Sequence, residues 1–187
     1  MDALSVVCWR WSALCGPAYV ARLQSTIAAN LRLPFRIFCI TDEPFEIDGV
    51  QNVAMPLEYA DTSRYRRRMW QYSKYREAEF GGRMLCVDLK AAIVGDITAL
   101  VDRPDRIVCW RESRAVYNDD FLLFDTGALH GVWSAFKRNP AGFLKTPGER
   151  NGSDRAMVNG FLRTQTGVAH WTDSEMQKAV SFGGHWQ

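Results

Sequence analysis

Apolar runs and amphipathic stretches follow one another along this chain in an order that predicts strands and helices in turn. Leu4-Ser5-Val6-Val7-Cys8 is an apolar run broken only by a small hydroxyl, which reads as a buried strand. Gly16-Pro17 then opens a helix from about Ala18 to Leu31, in which Val20, Leu23, Ile27 and Leu31 recur at helical spacing as a core-facing stripe. Leu33-Pro34 ends that helix. Phe35 to Ile40 reads as a second strand, Thr41-Asp42-Glu43-Pro44 as the turn after it, and Val50 to Met55 as a short third strand. Strand, helix and strand, joined by a crossover of this length, predict a parallel sheet.

The most telling stretch lies near the middle. After the Gly81-Gly82 turn, Arg83-Met84-Leu85-Cys86-Val87 is an apolar run that stops abruptly at Asp88. A carboxylate there is costly to desolvate unless something uses it, and the carboxyl ends of strands are where open α/β sheets bind ligands. An Asp that merely caps a turn is the plainer alternative. Beyond it, Ile97 to Val101 reads as a helical turn and Arg106 to Trp110 as a strand. The polar Tyr117-Asn118-Asp119-Asp120 precedes the apolar Phe121-Leu122-Leu123-Phe124 and the turn Asp125-Thr126-Gly127. Gly131 to Arg138 is predicted helical, with Val132, Trp133 and Phe136 inward. Thr146 to Gly152 is a loop of turn formers, and Ser153 or Asp154 caps a further helix whose apolar face is Met157, Val158, Phe161 and Leu162. Val168 to Trp171 is a late strand. The tail from Phe182 to Gln187 shows no closing element, and the chain shows no repeat or interdomain linker.

Composition narrows the class without naming a chemistry. A chain of 187 residues predicts one domain, here 1–187, with a substantial core. A formal charge of +2 is too slight to mark a nucleic-acid binder. No run approaches the ~18 apolar residues of a membrane helix, and Met1-Asp2-Ala3-Leu4 does not begin a signal peptide. The five cysteines, Cys8, Cys15, Cys39, Cys86 and Cys109, have neither Cys-x-x-Cys nor Cys/His spacing. Four of them lie in strand-like runs, where Cys acts as a small hydrophobe, and a cytoplasmic location is the simplest expectation. His130, His170 and His185 lack metal spacing.

Two segments carry candidate chemistry besides Asp88. Trp9-Arg10-Trp11 ends the first strand, where two indoles could line a pocket for a flat ring or simply pack. From Arg64 to Arg76, Arg64, Arg66, Arg67, Arg68, Lys74 and Arg76 alternate with Tyr65, Met69, Trp70, Tyr72 and Tyr75. Cations in such a segment suit the phosphates of a small ligand as well as those of a nucleic acid, and a solvated basic face is the plain alternative.

Several segments together resemble nucleotide-sugar glycosyltransferases of the GT-A fold, in the glycogenin and galactosyltransferase group. Trp11 with Gly16 to Leu23 is similar to that family's first loop and helix, and Leu33 to Asp42 to its second strand and turn. Trp70-Gln71-Tyr72-Ser73-Lys74 resembles the helix whose Lys lies near the donor diphosphate. Gly82 to Lys90, with Ile93-Val94-Gly95-Asp96-Ile97, is the best match, and Asn151 to Arg155 sits where the family has an acidic helix start near the acceptor. The resemblance implies an α/β fold: a GT-A-like, mostly parallel central sheet flanked by helices. It implies a donor nucleotide-sugar, a UDP-sugar first, held by Trp9, Trp11, Lys74 and Asp88, and an acceptor of unknown identity.

The family's Asp-x-Asp holds a divalent ion through hard oxygen ligands. Here the motif reads Asp88-Leu89-Lys90, and the later His-x-x-x-x-Lys-Pro segment is missing, His185 having a different spacing. Neither Mn2+ nor Mg2+ is therefore firmly implied, and Asp88 is the one motif-matched ligand. Three readings follow. In the first, the chain is a metal-independent hexosyltransferase. Lys90, Lys74 and Arg67 supply positive charge, Asp88 holds a ribose or sugar hydroxyl, and Asp154 orients the acceptor; Lys90 and Asp154 are the catalytic candidates. In the second it is an inactive binding or structural module within a larger assembly, as an oligomer or with a protein partner. An exposed patch of Trp9, Trp11, Trp171 and Trp186 would favour that reading. Nucleic-acid binding through residues 64–76 ranks last.

Overall fold

The computed structural model describes residues 3–55, 68–113, 116–139 and 154–182. Its nine strands are β1 (Leu4–Arg10), β2 (Phe35–Thr41), β3 (Val50–Ala54), β4 (Arg83–Val87), β5 (Ala91–Ile93), β6 (Ile107–Ser113), β7 (Val116–Asp125), β8 (Val168–Trp171) and β9 (Val180–Phe182). Seven of them form one sheet in the order β3-β2-β1-β4-β7-β6-β8, while β5 and β9 pair separately. β3, β2, β1 and β4 are mutually parallel, as the crossovers predict. β7 runs antiparallel to both β4 and β6, and β8 is parallel to β6. The sheet is therefore mixed and mostly parallel.

Both faces are covered, which is why its strands read as apolar runs rather than alternating ones. On one face Val6, Cys8, Ile37, Cys39, Leu85, Val87 and Leu123 pack against α1 (Ala18–Asn30), whose Val20, Leu23 and Ile27 are buried. Each of those three side chains contributes about 1.5–3 kcal/mol by leaving water. On the other face Val7, Phe38, Cys86, Leu122 and Phe124 meet the short segment 68–80 and two helices. That segment comprises two 3-10 turns, Arg68–Tyr72 and Lys74–Arg76, followed by α2 (Glu77–Phe80). A brief α3 (Thr98–Val101) precedes β6, and α4 (His130–Arg138) buries Val132, Trp133 and Phe136 as expected. α5 (Asp154–Leu162) buries Met157, Val158 and Leu162, with Phe161 half-buried.

The structure differs from the sequence expectations, or adds to them, at three points. The run expected to divide into a polar Tyr117–Asp120 segment and an apolar one is a single ten-residue strand, β7, because Asn118 and Asp119 are buried with satisfied partners. Between Trp171 and the tail, where no element was expected, the chain closes the fold, while residues 183–187 of the tail lie outside the described residues. α6 (Asp173–Ala179) begins with a capping box between Thr172 and Glu175, and β9 then pairs with β5. That closure requires Gly95, where a Cβ would collide with the Lys178 carbonyl oxygen. Finally, no open patch of tryptophans exists among the described residues: Trp9, Trp11 and Trp171 are all buried, and Trp186 lies outside that set. Arg64 to Arg67, Thr146 to Gly152 and His185 also lie outside it.

One side chain ties α5 to the sheet. Asn159, 2% exposed, accepts from Tyr117 N–H at 2.6 Å and donates to the Tyr117 carbonyl at 2.9 Å. A helix residue thus completes the hydrogen bonding of a strand residue, in the manner of a neighbouring strand. Asn159→Ala leaves two buried backbone groups without partners and should cost about 2–4 kcal/mol in urea unfolding. A loss below ~1 kcal/mol would mean that α5 is held by its apolar face alone.

Candidate functional site

The carboxyl ends of β1 and β4 lie side by side and parallel, and the candidate residues gather there. β4 ends at Val87. Asp88 N–H donates to the Asp120 carbonyl of β7 at 2.8 Å, and the chain then turns sharply. Asp88 Oδ1 accepts from Lys90 N–H at 2.9 Å while the Asp88 carbonyl accepts from Ala91 N–H at 2.9 Å. This is the Asx turn that short acceptor side chains form. It sends Leu89 into the core and leaves Lys90 exposed at the rim. Here the turn-capping role and a position on the cleft coexist in one residue.

Beneath the turn lies Arg68, 7% exposed, with Nη1 at 3.3 Å from Asp88 Oδ2. The Trp9 and Trp11 rings stack on one another at 5.6 Å between centroids and 21° between planes, and Trp70 meets Trp9 edge-on. Arg10 between them faces the other way. Its guanidinium donates to the carbonyls of Cys15 and Glu43 and to Thr41 Oγ1, tying together the loops that follow β1 and β2. Trp9, Trp11, Arg68, Asp88 and Lys90 all line one cleft of about 370 Å³, counting its open mouth.

Four of the sequence candidates, Trp9, Trp11, Asp88 and Lys90, therefore meet at one place. Lys74 does not line that cleft. It packs against Gly127, its backbone N–H reaches His130 Nδ1 at 3.4 Å, and its ammonium lies over the Tyr75 ring. Asp154 opens α5, and its side chain lies outside the described residues, as does Arg67.

The sequence singled out none of Arg68, Asp119 and Asp120: Arg68 was one cation of a basic segment suited to phosphates, and the two acids were part of a polar stretch. Arg155, beside Asp154, donates to Asp119 Oδ1 at 2.9 Å and Asp120 Oδ2 at 2.8 Å, and it reaches Glu112 at 3.6 Å. Burial, followed by the negative charges of Asp119 and Asp88, pushes the Asp120 carboxyl up to about 6, against the pull of Arg68 and Arg155. The signal for this network was two acids set beside an apolar run, where unpaired charge is too costly to be accidental.

The fit of a divalent ion can be judged from the donor atoms. One Asp88 oxygen faces a guanidinium, the other caps the turn, and the position of the second carboxylate carries an ammonium. Among the described residues no group of three His, Cys, Asp or Glu side chains could hold a metal. Hard cations require several oxygen ligands, so this donor set does not fit one.

Comparison with known proteins supports the fold. The galactosyltransferase LgtC, crystallised with donor and acceptor sugar analogues, superposes with TM-score 0.60 and 13% identity over 89% of this chain and 72% of LgtC. A structure of an LgtC active-site mutant gives the same values. The apo form of the glycosyltransferase GlyE from Streptococcus pneumoniae TIGR4 gives TM-score 0.64 and 12% identity over 94% of this chain and 46% of GlyE. This chain thus has the α/β fold of GT-A glycosyltransferases. No family model and no curated protein matches its sequence.

The raised Asp120 carboxyl has a measurable consequence. The folded protein holds this proton more tightly than the unfolded chain, whose carboxyl titrates near 3.8. The resulting stabilisation is complete below about pH 4 and is lost as pH rises through about 6. The unfolding free energy of the wild type relative to Asp120→Asn should therefore fall between pH 4 and pH 6 and level off above. A difference that stays flat across that range would show that Asp120 titrates normally.

Proposed function

We propose that this chain binds a nucleotide-sugar, a UDP-sugar first, in the cleft at the ends of β1 and β4, and transfers the sugar to an acceptor without a metal ion. The observation that carries this reading is the convergence of Asp88, Arg68 and Lys90 on one cleft beside a wall of indoles. The comparison supports it at the level of fold, since LgtC carries donor and acceptor analogues on the same architecture.

In group transfer from a nucleotide-sugar, negative charge grows on the leaving diphosphate. Donors fixed in place before reaction stabilise such charge without reorganising. Arg68 meets that requirement best, because Asp88 and the surrounding core hold its guanidinium. Lys90 adds a point charge on a flexible stem at the rim. On this reading Trp9 and Trp11 wall the nucleotide side, and Asp88 accepts from a ribose or sugar hydroxyl with its spare lone pairs. Asp154, at the start of α5, would orient the acceptor.

Calorimetric titration with UDP and a panel of UDP- and GDP-sugars, with and without manganese, tests the proposal. Micromolar binding that is insensitive to manganese is expected. Arg68→Ala should weaken it by at least tenfold, the usual cost of losing a charge-assisted contact, and Lys90→Asp should abolish it in the absence of metal. Unchanged affinity in Lys90→Asp would remove that residue from the site. No binding under either condition would overturn the nucleotide-sugar reading in favour of an inactive module in a larger assembly.

A further inference from the structure

Gln71 lies in the 3-10 turn beneath the cleft and is 1% exposed. Its Oε1 accepts from Trp9 Nε1 at 2.7 Å. An indole nitrogen can only donate, so this bond fixes which end of the amide is oxygen. The Nε2 end is left over. It is buried and has no hydrogen-bond partner among the described residues. A buried donor without an acceptor is a standing cost, and groups of this kind call for an explanation.

The surroundings provide one. Gln71 lines a narrow notch of about 200 Å³, counting its open mouth, together with Val7, Trp9, Arg68, Cys86 and Asp88. The notch adjoins the larger cleft, with which it shares Trp9, Arg68 and Asp88. Its enclosed part has room for about one water-sized group, so the notch is sized for a single functional group of a ligand whose remainder lies in the cleft.

The chemistry of that portion follows from what the walls can do. Gln71 Nε2 only donates and the Asp88 carboxylate only accepts. A group that serves both must accept from one and donate to the other. A phosphate oxygen or a carbonyl accepts only; either could take a bond from Gln71 Nε2 or Arg68 but would leave the Asp88 carboxylate without a donor from the ligand. A hydroxyl does both, as does a water molecule, whose place a ligand hydroxyl can take with the same hydrogen bonds.

We infer that Gln71 is a specificity-determining residue whose amide nitrogen, in the notch it lines together with Asp88, reads a hydroxyl of a sugar ring. The inference rests on the nucleotide-sugar reading for the rest of the ligand. It assigns the Trp9–Gln71 pair a task, namely to hold the amide so that its donor end is free.

The test compares wild type, Gln71→Met and Gln71→Glu by calorimetry with UDP, UDP-glucose and UDP-galactose, each variant first checked for an unchanged unfolding transition. Gln71→Glu keeps an acceptor for the Trp9 indole while removing the donor, so it remains informative if Gln71→Met fails to fold. Both variants should bind about tenfold more weakly, in line with one lost hydrogen bond and its partner left unpaired. Equal weakening toward UDP and the UDP-sugars places ribose in the notch, and weakening confined to the UDP-sugars places the transferred sugar there. A deoxy analogue lacking the hydroxyl should lose affinity for the wild type and lose none further for the variants. Variants that bind as tightly as the wild type would overturn the inference and leave the nucleotide-sugar reading intact. If the wild type binds no nucleotide-sugar, that reading fails by itself, and saturation-transfer NMR with free ribose, glucose and galactose then decides. Transfer to the wild type that is lost in Gln71→Glu would sustain the notch, and no transfer, or transfer that survives the substitution, would overturn it.

Discussion

The structure around the cleft depends on how three carboxylates are kept together at one desolvated end of the sheet. Asp88 follows β4, and Asp119 and Asp120 lie in β7, bonded to it through the Asp88 N–H and the Asp120 carbonyl. Like charges so placed cannot all stay ionised without compensation, and the compensation comes from both sides. Arg68 approaches Asp88 from the short segment before β4, and Arg155 approaches Asp119 and Asp120 from α5. Burial first, and then the negative charge that these two residues leave unbalanced, raises the Asp120 carboxyl. Replacing either arginine would strand buried charge, a loss larger than the net worth of either ion pair.

That arrangement also fixes the geometry of any chemistry in the cleft. Arg155 and Asn159 tie α5 to β7 within about one and a half helical turns of Asp154. The segment 68–72 is held too, because Met69, Gln71 and Tyr72 are buried alongside Arg68. Positive charge in the cleft is thus of two kinds, a guanidinium held by the core and an ammonium at the rim. They are not interchangeable. The first is planar, pre-organised and costs little entropy to use, whereas the second must be ordered by whatever it binds.

Elements set by local pattern were legible in the sequence, and those set by tertiary partners were not. β1, β2 and α1 carry apolar runs and a helical stripe, and their observed bounds differ from the expected ones by only one or two residues. Asp88 stood out because a charge ended an apolar run. The strand position of Asn118 and Asp119 was hidden because they read as a polar segment before an apolar run until their partners, Glu112 and Arg155, are in view. Arg68 was one arginine among several in a basic segment, and only burial separates it from its neighbours. Lys74 was expected near the donor from the resemblance to a helix; the segment forms 3-10 turns instead, its backbone N–H reaches His130 and its ammonium lies over the Tyr75 ring. The closure by α6 and β9 was missed although Thr172 and Glu175 have capping-box spacing, because the β5 and β9 partners are only three residues each.

The tryptophans show why residue type alone is a poor guide to a site. Two indoles flanking an arginine invite the picture of an open stacking platform, yet Trp9 and Trp11 stack on each other and are buried. Each ring already has one face covered by its neighbour, so a ligand can meet this pair as a wall but cannot be sandwiched by it. What Trp9 offers to polar chemistry is its single N–H, and that is committed to Gln71. The indole therefore acts at one remove: it orients an amide, and the amide, together with Asp88, presents a donor and an acceptor where the parallel strands end. A wall that is apolar and a notch that is polar, set side by side by one strand end, match a ligand with a flat ring at one end and hydroxyls at the other.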